Sequence, residues 1–190
     1  MTIFFTADTH FGHKNIIKLC NRPFNDVDEM NREMISRWNS KVTKNDIIYH
    51  LGDFSFGGWN FASSIFQQLH GSTMVLQGNH DDWYRNATNI NVHTIPNLSE
   101  INIPELKIDG HEQKIILCHY PMRSWNKSFH GSWHLFGHVH GTLEPYGLSF
   151  DCGVDTNNFY PYSLNDVKDK MIILQSEIDN NKKDYHVPIV

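Results

Sequence analysis

The sequence has few cysteines, no long hydrophobic run and no cluster of basic residues. Its three cysteines, Cys20, Cys118 and Cys152, are scattered and odd in number. This favours a reducing compartment over a disulfide framework, so we expect a cytoplasmic protein. The longest apolar runs, such as residues 115–118, are too short to cross a bilayer, and no membrane association is expected. Residues 1–5 lack the basic flank of a signal peptide, so none is expected.

A net positive charge is also missing. The 16 Lys and Arg residues and 21 Asp and Glu residues give a formal net charge of −5. Proteins that bind long nucleic acids usually present a basic patch or stripe, so no long nucleic-acid partner is expected. The length of 190 residues suits one domain with one large core, which we place at residues 1–190.

Histidine, by contrast, is abundant, with 13 residues in the chain. Histidine is neither a frequent core residue nor a common surface residue, so packing alone does not account for this number. Either the surface is rich in histidine by chance, or several histidines serve one site. Their positions along the chain decide between these alternatives.

The first half of the chain alternates apolar strands with amphipathic helices. Strands are predicted at residues 3–7, 46–51 and 72–77, and helices at residues 14–20, 27–39 and 61–69. Asp26 is the expected N-cap of the second helix, with Glu29 three residues later in a capping-box pattern. This order predicts right-handed crossovers and a parallel sheet that helices cover.

The second half is richer in short strands. These are predicted at residues 98–103, 106–108, 112–119, 133–136 and 148–151. The pair Asp109-Gly110 indicates a hairpin between two of them. Ser163 is expected to cap a short helix, and residues 171–174 are expected to form a late strand. The pattern as a whole predicts two mixed sheets packed face to face, with helices outside.

Polar residues follow each apolar strand of the central region. They are Asp8-Thr9-His10, Gly52-Asp53, Gly78-Asn79-His80-Asp81, His119 and Gly137-His138-Val139-His140. Ligands of open α/β sheets bind outside the carboxyl ends of the strands, so we expect these side chains to converge. In an extended chain residues i and i+2 point to the same side, which would bring Asp8 to His10 and His138 to His140. Each motif alone occurs by chance, but five in this order indicate a metal site.

The chain resembles the calcineurin-like metallophosphoesterase family, whose pattern is D-x-H, G-D, G-N-H-[DE], H and G-H-x-H, over residues 8 to 140. The resemblance implies a four-layer α/β/β/α sandwich of two mixed sheets, with the metal site at the carboxyl ends of the strands. It also implies two metal sites that share Asp53. The first set is Asp8, His10, Asp53 and His140, and the second is Asp53, Asn79, His119 and His138. His80 would be the proton donor.

Two divalent ions held in this way suit phosphoester hydrolysis. Asp8 and Asp53 offset only half of the charge of two divalent ions, which leaves positive charge beside a phosphate ester. A mixed set of imidazole, carboxylate and amide ligands suits Mn, Fe, Zn or Ni better than an all-oxygen Mg or Ca site. We expect Mn first, with Mg also possible. Asp53 and His80 are the predicted catalytic residues, with a further ligand or a phosphate clamp as alternatives for His80.

One motif departs from the pattern of some relatives. Protein Ser/Thr phosphatases of the family read G-D-x-x-D-R-G at the second motif, and the later Asp supports the proton donor. Here Phe56 occupies that Asp position and Gly57 the Arg position. Protein phosphatase activity is therefore not expected, and the orientation of His80 stays open. Asp81 is a weak candidate for the supporting role.

The expected substrate is a small phosphorylated molecule, nucleotide-like or cyclic, cleaved at a phosphodiester. The alternatives are a phosphomonoesterase, a nuclease, and a non-catalytic scaffold or sensor that binds metal or nucleotide. Candidate substrate residues are His13, which could meet an anion, and Arg22 and Arg123, which could bind phosphate oxygens. The alternative for all three is an ordinary surface position.

Overall fold

The structure is a computed structural model that describes residues 1–84, 92–108 and 110–184, and these residues form two sheets and four helices. The first sheet has the order β4-β3-β2-β1-β9, with β1 at Ile3–Thr6, β2 at Ile47–His50, β3 at Ser72–Val75, β4 at Val92–Thr94 and β9 at Tyr162–Ser163. The second has the order β5-β6-β7-β8, with β5 at Leu98–Ile108, β6 at His111–Cys118, β7 at Trp133–Phe136 and β8 at Ser149–Asp151. The helices are α1 at Lys14–Leu19, α2 at Val27–Lys41, α3 at Trp59–Phe66 and α4 at Leu164–Asp184.

Both sheets are mixed. Strands β1 to β4 pair in parallel, as the alternation of strands and helices predicts, and β9 joins β1 antiparallel. In the second sheet β5 and β6 are antiparallel, whereas β6, β7 and β8 are parallel. The predicted α/β fold with two mixed sheets is confirmed.

The two sheets pack face to face through the apolar side chains of their inner faces. Phe5 of β1 belongs to an apolar cluster with Leu117 and Leu135 of the second sheet. Its neighbour Phe4 points the opposite way and packs against Trp38 of α2. This is the alternation expected of a strand that is buried on both faces. Helices therefore cover the outer face of the first sheet.

The outer face of the second sheet is covered differently. His134 and Phe136 of β7 alternate with Trp133 and Leu135, so they point away from the other sheet. The ring of Trp125 lies 5.3 Å from the ring of His134. The segment between β6 and β7 therefore covers this face with side chains from irregular structure.

The start of α2 agrees with the capping prediction in part. The Asp26 side chain accepts a hydrogen bond from the Glu29 N–H at 2.8 Å, as an N-cap does. The Glu29 carboxylate accepts from the N–H of Asn25 at 2.7 Å, one residue before the N-cap. The N–H groups of Asn25 and Glu29 thus both have acceptors, and this pair of bonds fixes where α2 begins.

The predicted late strand at residues 171–174 is wrong, because these residues lie within α4. Val167 and Met171 are buried at helical spacing, whereas Ile172 is 52 % exposed. A short apolar run does not distinguish a strand from a helix, and here the i, i+4 spacing decides. Ser163 does cap the helix, since its Oγ accepts from the Asp166 N–H at 3.2 Å, but the helix is long. No helix in the described ranges is both long and apolar enough to cross a membrane.

The first strand of the hairpin in the second sheet is longer than predicted. Residues 98–103 and 106–108 belong to the single strand β5, whose pairing with β6 shifts between Ile103 and Lys107. Ile108 pairs with His111, and Gly110 between them has φ = +82°. Asp109, the other residue of the predicted turn, lies outside the described residues.

His50 at the end of β2 is fully buried beside the site. The Thr9 hydroxyl donates to the Phe54 carbonyl at 2.8 Å, so its oxygen is left to accept from His50 Nε2 at 3.0 Å. Nε2 of His50 therefore carries a hydrogen. Burial lowers the pKa of His50 from 6.5 to about 3.

This buried imidazole predicts a loss of stability in mild acid. Below pH 6.5 the unfolded chain protonates His50, while the folded chain does not until near pH 3, so the unfolding free energy falls as pH falls through this window. From pH 7 to pH 5 the contribution of His50 is about 2 kcal/mol. Urea unfolding of the metal-free protein at both pH values should show a smaller change in His50→Gln than in wild type. His111→Gln, at an exposed position, is the control; an equal change in all three proteins would refute the prediction.

Candidate metal centre

The predicted ligands meet at the carboxyl ends of the strands in two groups. The first group is Asp8, His10 and His140, and the second is Asp53, His119 and His138. Within each group the candidate ligand atoms all lie within 4.8 Å of one another. Asn79 joins the second group, because its Oδ1 lies 3.0 Å from Nε2 of His119. All seven predicted ligands are thus brought together, in the two sets that the family resemblance implies.

Asp53 lies between the two groups. Its Oδ2 is 3.5 Å from Nε2 of His10 in the first group and 3.5 Å from Nε2 of His119 in the second. Its Oδ1 accepts a hydrogen bond from the His80 N–H at 2.8 Å, which holds the carboxylate in this orientation. Oδ2 of Asp53 is therefore near both ligand groups at once.

The ring of His119 is oriented by the carbonyl of Leu51. Its Nδ1 lies 2.8 Å from the Leu51 carbonyl, which can only accept, so Nδ1 carries a hydrogen. Its Nε2 faces Oδ1 of Asn79 at 3.0 Å. With the ring held by the Leu51 carbonyl, Nε2 of His119 and Oδ1 of Asn79 lie close enough to bind the same metal ion.

The first group contains buried polar atoms that hydrogen bonds leave unsatisfied. Asp8 Oδ1 and both ring nitrogens of His10 are buried and have no hydrogen-bond partner among the described residues. Burying such atoms unpaired costs free energy, and native structures rarely leave them so. Coordination of an ion by Asp8 and His10 would satisfy two of these atoms, so the chemistry of the donor set fits a divalent metal.

The charges around Asp8 also fit a bound cation. Burial, followed by repulsion from Asp151 and Asp53, raises the pKa of Asp8 well above its usual value. For Asp53 burial also acts to raise the pKa, but the neighbouring His119 and the His80 N–H outweigh it and lower the pKa to about 2. A cation between these carboxylates would remove the repulsion and keep both ionised.

The backbone at the ligands is strained. Five of the predicted ligands have a left-handed backbone, namely Asp8 (φ +57°), His10 (+50°), Asp53 (+55°), His138 (+73°) and His140 (+50°). Each such residue costs of order 1–3 kcal/mol, and such residues cluster at functional sites. The expectation that an extended backbone aligns residues i and i+2 was therefore wrong in its geometry. Asp8 and His10 converge through left-handed turns, whereas His138 and His140 fall into separate groups.

Glycines allow the strand ends to approach these carboxylates. A Cβ atom on Gly78 would collide with the backbone nitrogen and Oδ1 of Asp53. One on Gly137 would lie 2.5 Å from Oδ2 of Asp8. Only a residue without a side chain fits at either position, so the glycines of the two motifs serve close approach.

Asp81 supports the site, but not in the way considered from the sequence. Its carboxylate accepts hydrogen bonds from the N–H groups of Asp53 at 2.7 Å, Phe54 at 2.9 Å and Gly78 at 2.9 Å. It thereby ties the loop after β2 to the loop after β3. Asp81, which the sequence suggested as a support for the His80 ring, therefore supports the backbone of Asp53 instead.

Arg22 and Asp155 form a second support, behind His140. Asp155 Oδ2 accepts from His140 Nδ1 at 2.7 Å, which leaves Nε2 of His140 to face the first group. The Arg22 guanidinium donates to both carboxylate oxygens of Asp155 at 2.8 Å and to the carbonyls of Asp8 and Thr9. These bonds occupy the buried guanidinium, so the predicted contact between Arg22 and a phosphate is wrong.

The sequence prediction missed Asp155. It follows the strand β8 by only a few residues, as the recognised ligands follow their strands. That rule would have drawn attention to residues 151–155. Because Asp155 belongs to no motif of the family pattern used above, nothing else in the sequence distinguished it.

Weakening the contact between Asp155 and His140 is expected to lower the affinity of the site for metal. Asp155→Asn removes the charge that orients His140 and should lower the affinity for Mn²⁺ by about 10–100-fold. Calorimetric titration of the metal-free protein measures this directly. Asp169→Asn, which removes an exposed charge from α4, should bind as wild type does. Equal affinity in all three proteins would show that Asp155 has no part in the site.

His80 lies beside the ligands rather than among them. The His80 side chain is exposed, and its ring centroid lies 5.5 Å from that of His10, 6.0 Å from that of His13 and 5.9 Å from that of Phe56. His13 stacks on Phe56 at 4.4 Å and so lies at the edge of the site. Arg123 is exposed, with its guanidinium 4.7 Å from the ring centroid of Tyr146.

Among the aromatic residues near the second-half motifs, one borders the site. Tyr120 is 47 % exposed, and its ring contacts those of His119 and His138, with centroids 4.9 and 4.8 Å away. Trp125 and Trp133 are buried. The two tryptophans therefore belong to the packed interior, while Tyr120 is available to a ligand.

Comparison with known proteins agrees with this arrangement. The sequence profile described as calcineurin-like phosphoesterase matches residues 1–142. An uncharacterized protein of Methanocaldococcus jannaschii is 33 % identical over 171 residues, which covers 85 % of this chain and 86 % of that protein. The Gene 66 protein of Mycobacterium phage L5 is 25 % identical over 163 residues, covering 73 % and 77 % respectively. The crystal structure of a protein of unknown function from Aquifex aeolicus has a TM-score of 0.66 at 22 % identity, covering 88 % and 98 %, and shares the fold.

Proposed function

The chain belongs to the calcineurin-like phosphoesterase family, and from this premise we propose that it hydrolyses a phosphodiester with two divalent metal ions. The family makes it a metal-dependent hydrolase of phosphoesters. The observation that carries the proposal further is the position of Asp53, whose Oδ2 lies 3.5 Å from one histidine of each ligand group. A single ion would leave one of the two ligand groups without a metal to bind.

The proposed ligand sets follow the two groups. Asp8, His10 and His140 with Asp53 would hold one ion, and Asn79, His119 and His138 with Asp53 would hold the other. When bound, the ions would neutralise phosphate charge and supply a nucleophilic water of lowered pKa. The mixture of imidazole, carboxylate and amide donors favours Mn, with Fe, Zn, Ni and Mg as possible alternatives.

The chain's own residues would orient the substrate and move one proton. His80 lies at the open side of the ligand groups, where a leaving oxygen would emerge, and is the proposed general acid. The oxygen of a water forms a bond to phosphorus as the bond from phosphorus to the ester oxygen breaks. That ester oxygen takes a proton from the protonated ring of His80 as it leaves, and one proton of the attacking water returns the ring to its protonated form. The products are a phosphomonoester and an alcohol.

The charge of the site favours a diester over a monoester. A monoester carries a second negative charge, which binding sites commonly meet with arginine. Arg22, the arginine behind the first group, donates to Asp155 and to backbone carbonyls and so offers nothing to a phosphate. A singly charged diester requires less neutralisation, and this supports the proposed preference.

A panel of two substrates and four metals tests the proposal. Purified protein, with its metal content measured, is assayed on bis-p-nitrophenyl phosphate and on p-nitrophenyl phosphate with Mn, Ni, Zn or Mg. We expect turnover of the diester to exceed that of the monoester, and Mn to be the best metal. Preference for the monoester would replace the proposal with a phosphomonoesterase. Full metal loading without turnover of either substrate would indicate a sensor.

A further inference from the structure

A cleft adjoins the ligand groups on the side of His80. It has a volume of about 480 Å³ and is lined by Phe56, Gly58, Trp59, His80, Asp82 and Trp83. We call it the aromatic cleft. Its volume lies within the range of small-molecule sites. Because His80 both lines the cleft and donates its N–H to Asp53, the cleft begins where the ligand groups end.

The aromatic residues of the cleft form firm, flat surfaces. Trp83 is 1 % exposed, and its Nε1 donates to Asp81 Oδ1 at 3.0 Å, which fixes the ring. Trp59 lies 5.8 Å away from Trp83 with the ring planes only 28° apart. Phe56, in contrast, is 52 % exposed, although its ring is held by stacking on His13. A phenylalanine that is held in place but left in solvent is suited to contact a flat apolar ligand.

The polar group at the edge of the cleft selects the kind of ligand. Asp82 is exposed and lines the cleft. Its carboxylate accepts hydrogen bonds from N–H groups and repels further phosphates. The matching ligand is therefore a planar aromatic ring that carries N–H donors and no negative charge of its own.

We propose that the aromatic cleft binds the base of a nucleoside that is esterified to the phosphate at the ligand groups. The flat faces of Phe56 and Trp59 would stack on the base, and Asp82 would accept from its amine or ring N–H groups. The substrate class is then a nucleotide phosphodiester whose nucleoside is the leaving group, with its ester oxygen at His80. This inference rests on the proposed function, since it names the group that His80 protonates.

Gly58 offers a way to block the cleft without disturbing the fold. Its backbone has φ = −68°, which any residue adopts, and a Cβ atom placed on it would meet no atom of the described residues within 4 Å. Gly58→Leu should therefore fold and place a side chain in the open space. Asn60→Leu adds the same side chain to an exposed position on α3, outside the cleft lining, and is the matched control.

Binding of adenosine, which contains no phosphate, tests the cleft apart from turnover. We expect adenosine to quench the tryptophan fluorescence of the wild type to saturation. The dissociation constant should rise at least about tenfold in Gly58→Leu and in Phe56→Ala and stay unchanged in Asn60→Leu. Asp82→Ala should weaken adenosine about tenfold and purine riboside, which lacks the amine, less than about twofold. Thermal unfolding of each variant confirms that it is folded.

The outcomes separate this inference from the proposed function. Equal adenosine binding by wild type and folded Gly58→Leu, or no saturable quenching in wild type, overturns the nucleoside inference even if the diester is hydrolysed. Saturable quenching that depends on Gly58 and Asp82 supports it even if the substrate panel fails. If the protein is active, an inhibitor that carries a base should also inhibit diester turnover more strongly than one without a base. Adenosine 5′-monophosphate should inhibit at least about tenfold better than ribose 5-phosphate, and only in proteins with an open cleft.

Discussion

Replacing Asp53 by Asn is expected to reduce phosphodiester turnover to less than about one-thousandth of the wild-type rate. Oδ2 of Asp53 lies between His10 of one ligand group and His119 of the other. An amide has one oxygen and no charge, so it replaces the shared carboxylate poorly at either group. The rate of bis-p-nitrophenyl phosphate hydrolysis with saturating Mn²⁺ measures the effect.

The control for this substitution is Asp169→Asn, which removes an exposed carboxylate from α4 and should leave the rate unchanged. Circular dichroism should show that both variants are folded. An Asp53→Asn protein that is folded and retains more than about a tenth of the wild-type rate would show that a shared carboxylate is not needed.

Replacing His80 by Ala is expected to slow the hydrolysis of esters with poor leaving groups by at least about 100-fold while both metal ions stay bound. The reason is that His80 contributes its backbone N–H, and not its ring, to the ligand groups. An alkyl leaving group depends on a proton from the ring, whereas p-nitrophenolate leaves without one. A dinucleoside monophosphate and bis-p-nitrophenyl phosphate, assayed side by side, provide the two leaving groups.

Two results would contradict this assignment of His80. Loss of metal in His80→Ala would make the ring a ligand. An equal loss of rate for both substrates would make it a clamp for phosphate rather than a proton donor. His111→Ala, at an exposed position on the hairpin of the second sheet, should match wild type in both assays.

The positions of the candidate ligands could be predicted from the sequence because each follows an apolar strand. Strand and helix boundaries of the first half agree with the structure to within three residues. The parallel order then places the ends of β1, β2 and β3 at one edge of the first sheet. Asp8, Asp53 and Asn79 follow these strands and reach the same place.

The local geometry of the ligands could not be predicted in the same way. Residues such as Asp8 and His138 adopt left-handed conformations that their own preferences disfavour. Only the surrounding contacts, for example the bond from the His138 N–H to Asp8 Oδ2 at 2.8 Å, impose them. Such contacts join residues far apart in the chain and leave no local pattern.

The supporting residues escaped prediction for a related reason. Asp155 lies 133 positions after Arg22, and the pair is recognisable only once both are seen beside His140. The aromatic cleft likewise combines residues on either side of β3. The late strand expected at residues 171–174 failed because four apolar residues fit a helix as well as they fit a strand.

The central claim is that one carboxylate joins two metal ions, and the electron paramagnetic resonance spectrum of the Mn²⁺-loaded protein tests it most directly. We predict two Mn²⁺ ions per chain with the spectrum of a spin-coupled pair, and the loss of that coupling in Asp53→Asn. A single ion per chain at saturation, or two ions without coupling in the wild type, would contradict the claim.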